Sequence, residues 1–226
     1  MPVCVSCPHC RTPCLVAEQY LGVPVKCGRC ARTFTTRADP AIRLDLGVAT
    51  SPGDEHTRQE DSFLVHHLVC CNLDDRHELA VLVVADGRSD TIKAALMPLL
   101  SSFLGGASKD AARVSEAIAA CKGIGATAAV VVVWDGQAQI GQVGECRVYH
   151  QCAGQLVQVM RDPMKLAVGD WLVVACARPH AHLNPSTLQE TIAKASPFAD
   201  QLARQLVERA NQLGCDNCTV VTVRCY

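Results

Sequence analysis

The chain has 226 residues, of which 49% are apolar and 19% charged, and a formal net charge of −1. That is enough apolar material for one medium core with a small appendage, and too even a charge to hold a polyanion or an anionic membrane by its overall field. The longest nearly unbroken apolar run, ATAAVVVVW from Ala126 to Trp134, falls far short of a membrane helix, and MPVCVSCPHC lacks a basic region followed by an apolar stretch, so a soluble, cytoplasmic protein is expected.

The first 37 residues carry two C-x-x-C pairs, Cys7/Cys10 and Cys27/Cys30, with sixteen residues between them. Each pair can make a tight turn whose amides point at thiolate sulfur, and two such turns facing each other build a tetrahedral Cys4 site that suits Zn2+. Cys4 and Cys14 crowd the first pair, which leaves Cys4/Cys7 as an alternative. Between the pairs, LVAEQYLGVPVK reads as a strand, a turn at Gly22 and a second strand, and ARTFTT supplies a third. So small a unit buries too little surface to fold alone, so the metal would supply much of its stability. The stretch resembles the short zinc ribbons found at the N-termini of bacterial regulatory proteins, with Phe34 as their usual aromatic. Its few basic residues and scarce aromatics argue against nucleic acid and for a structural or protein-docking module.

RADPAIR marks a boundary near residues 37–41, dividing a ribbon (1–37) from a body (42–226). In the body, strands are predicted at Arg43–Thr50, Ser62–Cys70, Glu78–Ala85, Thr127–Trp134, Ala138–Val143, Arg147–Cys152, Leu156–Met160, Trp171–Cys176 and Thr219–Cys225. Helices are predicted in TIKAALMPLLSSFL, KDAARVSEAIAACK, NPSTLQETIAKA and SPFADQLARQLVERANQLG. Asn184 and Ser196 each precede a proline as capping residues, and Gly214 ends the last helix. The pattern implies an α+β fold, a β-sandwich of two antiparallel sheets flanked by helices on both faces. The cysteines within apolar strands, Cys70, Cys71, Cys176, Cys218 and Cys225, read as small buried hydrophobes.

The order of short motifs adds a resemblance. LGVATSPGDEHTRQEDSFLV, LAVLVVADGRSD, GATAAVVVVWDG, GQVGECRVYHQCAGQLVQVMRD, LAVGDWLVVACARPH and CDNCTVVTV follow one another along roughly residues 42–226. In that order they resemble the metal-dependent serine/threonine phosphatases of the PPM (type-2C) family. The resemblance implies two Mg2+ or Mn2+ ions in a cleft between the sheets, activating a water against a phosphoserine or phosphothreonine. It implies that Asp61 helps hold that water, that Asp86 bridges the metals with the Gly87 carbonyl beside it, and that Asp216 is a further metal ligand.

The sequence departs from the family at several of these places. The expected third metal aspartate is replaced by Ala177, followed by Arg178, and the phosphate-binding arginine position holds His56, with Arg58 close by. Gly-Asp-Ser-Arg becomes Gly144-Glu145-Cys146-Arg147, and six residues separate Asp162 from Gly169 where relatives insert a flap. Loss of one carboxylate should weaken metal binding by at least about 10–100-fold, and loss of the arginine removes a bidentate phosphate contact. The reading is a degenerate PPM-type protein, a pseudophosphatase that binds a protein or phosphoprotein partner. The alternative is a weakly active phosphatase in which His56, Arg58, His180 or His182 substitutes. A ribbon-led nucleic-acid binder is the third class, and net charge disfavours it.

Overall fold

A computed structural model describes residues 2–7, 9–10, 12–17, 20, 23–35, 42–53, 59–71, 76–86, 111–123, 125–160, 163–176, 183–194, 198–215 and 217–226. The boundary at 37–41 and the helix predicted after Asp90 lie outside them.

The N-terminal segment consists of two separate hairpins. β1 (Pro2–Ser6) pairs with β2 (Pro13–Ala17), and β3 (Pro24–Lys26) pairs with β4 (Thr33–Thr35). The expected hairpin about Gly22 is therefore corrected: β2 and β3 both form, but each takes another partner. The C-x-x-C turns decide this, because each one closes its own hairpin. Cys7 N–H donates to the Thr12 carbonyl at 3.0 Å, and Cys27 N–H to that of Arg32 at 2.9 Å.

The body builds two five-stranded antiparallel sheets. The first runs β11 (Gln155–Val159), β10 (Arg147–Cys152), β13 (Trp171–Ala175), β14 (Cys218–Cys225), β5 (Leu44–Ser51). The second runs β12 (Met164–Lys165), β9 (Gln137–Val143), β8 (Thr127–Trp134), β7 (Arg76–Asp86), β6 (Asp61–Cys71). Alternation assigns the faces. Along β8, Ala129, Val131 and Val133 join the core between the sheets, whereas Ala128, Val130, Val132 and Trp134 join an outer core. β8 is thus buried on both faces, so its sequence is an unbroken apolar run rather than an alternating one.

Helices cover both outer faces. α1 (Ala111–Gly123) lies on the second sheet, where Gly141 admits it: a Cβ there would stand 2.5 Å from the Ile118 side chain. α2 (Pro185–Lys194) and α3 (Ala199–Gln212) cover the first. Asn184 caps α2 as predicted, its Oδ1 accepting from Thr187 N–H at 2.9 Å. The predicted cap at Ser196 lies outside the described residues. α3 starts at Ala199, and an acceptor for its first N–H comes from the sheet: Asp45 Oδ2 on β5 takes the Ala199 N–H at 2.7 Å. Gly47 lets the two backbones meet, since a Cβ there would lie 2.3 Å from the Ala199 carbonyl carbon. Leu202, Ala203, Leu206, Val207 and Ala210 form the buried stripe of α3, and Gly214, at φ +79°, ends it as expected.

Candidate metal sites

The two C-x-x-C turns bring Cys7, Cys10, Cys27 and Cys30 together, with all four sulfurs within 4.8 Å of one another. Cys7 Sγ is 3.7 Å from Cys30 Sγ, and Cys10 Sγ is 3.6 Å from Cys27 Sγ. A tetrahedron with metal–sulfur bonds of about 2.3 Å has sulfur–sulfur edges of about 3.8 Å, so the donors fit a thiolate-bound metal ion. Local amides prepare the charge. N–H groups of Cys30 and Arg29 aim at Cys27 and hold its thiol down at about 6. Cys30 accepts from Arg32, yet burial and the neighbouring sulfurs push it up to about 11. Three thiolates crowding a fourth repel one another until a cation joins them. Cys14 packs against the group from outside it, and Phe34 is buried with it.

The second site lies at one end of the sandwich. β6 begins with Asp61, β7 ends with Asp86, and the register sets these two residues directly opposite each other. Directly paired residues in an antiparallel ladder have Cα atoms about 4.5–5.5 Å apart and share a face, here the face toward the other sheet, because Leu82 and Val84 alternate with Asp86 into the inner core. Asp61 is buried and Asp86 half-buried. Two like charges so placed are destabilising by themselves, and a divalent cation between them reverses the sign.

The first sheet closes this end with thiols. Cys146, just before β10, and Cys176, just after β13, both belong to the inner core. Burial first, then the charges of Asp61 and Asp86, push the Cys146 thiol up to about 12 against an opposing hydrogen bond with Thr127. Burial again leads at Cys176, reinforced by the charge of Asp61 and a hydrogen bond to it, so this thiol is strongly raised too. Both stay protonated at neutral pH, and the donors then offered to an ion are carboxylate oxygens, which suit Mg2+ or Mn2+. The acidic stretch is fastened to the last strand: Asn217 Oδ1 accepts from Glu60 N–H at 2.9 Å, and Gln59 Nε2 donates to the Ser51 and Cys218 carbonyls at 3.1 and 3.3 Å. Arg147 turns back on its own loop, donating to the Gly144 and Cys146 carbonyls, and Glu145 is exposed.

Asp61 and Asp86 are therefore brought together. Gly87, Asp216, Ala177, His56, Arg58, Arg178, His180 and His182 lie outside the described residues. The neighbours Cys176 and Asn217 both reach the acidic end, Asn217 through Glu60. What sequence reading missed is the pair of thiols facing the acids. The available signal was parity: Cys146 and Cys176 occupy the same alternating positions as the inner-core Val148 and Val174.

Neither a protein-family model nor a curated protein matches the sequence. Solved structures are similar in fold. The catalytic domain of the serine/threonine phosphatase PstP, in complex with two manganese ions, aligns with a TM-score of 0.62 at 16% identity, over 81% of this chain and 99% of that one. PppA, a regulatory component of the type VI secretion system of Pseudomonas aeruginosa, gives 0.58 at 16% identity over 81% and 98%. The PPM Ser-Thr phosphatase MsPP of Mycobacterium smegmatis, in complex with cacodylate, gives 0.58 at 16% identity over 79% and 97%. The fold of the chain is that of the PPM phosphatases.

Proposed function

We propose, on the premise of this PPM phosphatase fold, that the protein is a degenerate phosphatase-like binder that recognises a protein or phosphoprotein partner with little or no turnover. The register pair Asp61–Asp86 carries the reading, because two inward carboxylates on one ladder step favour a divalent cation. A bound Mg2+ or Mn2+ would neutralise phosphoryl charge and lower the pKa of a bound water. Asp61 and Asp86 would hold the ion, while Cys146 and Cys176 present protonated thiols where charged or strongly hydrogen-bonding groups would serve phosphoryl chemistry better. Ala177 in place of a third carboxylate, and His56 in place of an arginine, favour binding over catalysis.

The N-terminal Cys4 group would hold structural Zn2+ and act as a separate docking module, with residues 1–37 and 42–226 as two units. A second reading, a weakly active Mg2+- or Mn2+-dependent phosphoserine/phosphothreonine phosphatase, is favoured by the intact Asp61–Asp86 pair itself.

One set of measurements separates them. Calorimetric Mn2+ titration should give weak binding that tightens by about 10-fold or more in Ala177→Asp, with phosphopeptide turnover near background in the wild type. Adding His56→Arg should raise turnover more in the Ala177→Asp background than alone. Robust wild-type turnover, unchanged by Ala177→Asp, would overturn the binding reading in favour of the phosphatase.

A further inference from the structure

At the opposite end of the same sandwich, three metal-capable side chains converge. β13 enters just after Asp170, which points inward like Leu172 and Val174. β10 ends with His150 and Cys152, which share the parity of the inner-core Val148. β10 and β13 pair through Gln151 and Trp171, so one further step of the register sets Cys152 against Asp170, with His150 on the adjacent inward position. His150 Nε2 lies 2.9 Å from Asp170 Oδ2, and both side chains are largely buried, at 13% and 5% exposure. The Cys152 sulfur completes a group whose ligand atoms all lie within 4.8 Å. From Asp170 to Cys176 is six residues, or roughly 20 Å at strand rise, so this group is distinct from the acidic end.

We propose that His150, Cys152 and Asp170 form a second zinc site, with the fourth coordination position open to solvent on the exposed Cys152 side. One sulfur, one imidazole nitrogen and one carboxylate oxygen are the mixed donor set a borderline-soft divalent ion takes, and hard Mg2+ or Ca2+ does not. The scaffold for it exists. Asp170 is fixed before any metal arrives, because its Oδ2 accepts from Ala167 N–H at 2.9 Å and its backbone carbonyl from Cys225 N–H at 2.9 Å. His150 is held by strands on both sides, opposite Leu172 and Val157.

Ligand–ligand edges in a tetrahedral zinc site are about 3.3–3.8 Å. Entry of the ion widens the His150–Asp170 gap by roughly half an ångström, with the imidazole neutral and its proton on Nδ1 so that the Nε2 lone pair faces the metal. The thiol proton leaves as zinc–sulfur bonding begins. In the absence of metal, Asp170 acts on Cys152 through a hydrogen bond first and charge second, both of which keep the thiol protonated. A cation placed between them cancels that effect.

The test uses the full chain and reads Cys152 alone. The protein is titrated with ZnCl2 against a metal buffer, and iodoacetamide labelling of Cys152 is followed by peptide mass spectrometry, which separates it from the ribbon cysteines. Zinc should slow Cys152 alkylation at least about 10-fold, and His150→Gln should shift the half-protecting free zinc concentration upward by about 10–100-fold. The ribbon variant Cys27→Ser should leave the protection intact. In parallel, elemental analysis should find two zinc ions in the wild type and one in Cys152→Ser, whose side chain is exposed and whose replacement spares the core. Cys152 labelled at one rate with and without zinc, or equal zinc content in wild type and Cys152→Ser, would overturn the proposal.

Discussion

The ribbon and the cores of the sandwich use cysteine for opposite purposes. In the ribbon, amides of Arg29 and Cys30 point at sulfur and four thiols converge, so charge collects there until an ion takes it up. In the sandwich, Cys146, Cys176, Cys218 and Cys225 are fully buried within the apolar cores. Burial dominates at Cys146, Cys176 and Cys225, raising the thiols and keeping them neutral. The same side chain is a ligand where backbone donors face it, and a small hydrophobe where aliphatic side chains do. The stabilities of the two regions should therefore come apart.

The largest separation comes from the metal. Cys27→Ser should release the ribbon zinc and unfold the ribbon, because metal binding there supplies about 10–16 kcal/mol of apparent folding free energy. The main thermal transition of the body should not move. Elemental analysis with calorimetry checks both halves, and a body that melts together with the ribbon would erase the distinction.

The converse variant is Leu82→Ala, in the core between the sheets. It should cost the body about 2–5 kcal/mol through lost burial and a cavity, lowering the denaturation midpoint with zinc content unchanged.

A pH series sharpens the contrast in the thiols. Cys146 and Cys225 rise from 9.0 toward about 12 in the fold. A raised acid pKa stabilises fully below the unfolded value and is lost as pH climbs through the folded one. The melting temperature of the body should accordingly fall between pH 9 and 12, and Cys146→Ala should flatten that decline. Zinc in the ribbon should respond at the other extreme, leaving as acid protonates its thiolates.

The smallest effect concerns the helix start. Asp45→Asn keeps an acceptor for Ala199 N–H but loses the negative charge at the N-terminus of α3, costing the body about 0.3–1 kcal/mol. Asp45→Ala should cost about 0.5–2 kcal/mol. Chemical denaturation of the two variants resolves the ordering.

Most of the sandwich was legible because its strands declare themselves by composition: ATAAVVVVW and WLVVAC have few other places to go. The clustering of the four ribbon cysteines was legible from spacing alone. What sequence could not supply was pairing between distant segments. The sixteen residues between the C-x-x-C pairs suggested a hairpin of their own, yet each pair fastened a different one. At the start of α3 an acceptor comes from an aspartate about 150 residues earlier, which no local pattern announces, because Gly47 lets β5 touch α3. At the acidic end, Asp61 and Asp86 were legible through motif order, whereas the thiols opposite them depend on how the two sheets face. His150 and Cys152 share a face by simple alternation, but only the β10–β13 register adds Asp170.

The position of β14 has a consequence for synthesis. It is the last strand in the chain, yet it sits between β13 and β5, bonded along its whole length to β5 from Leu44 to Ser51. A ribosome making about 5–20 residues per second needs roughly ten to thirty-five seconds to travel from one partner to the other. Throughout that interval β5 has an open edge, and the Asp45–Ala199 contact joins it only when α3 emerges. The ribbon and the β6–β7 hairpin can form early, because their partners are neighbours in sequence. The first sheet can be completed only after translation has passed Cys225, which leaves β5 open to a wrong partner in the nascent chain until then.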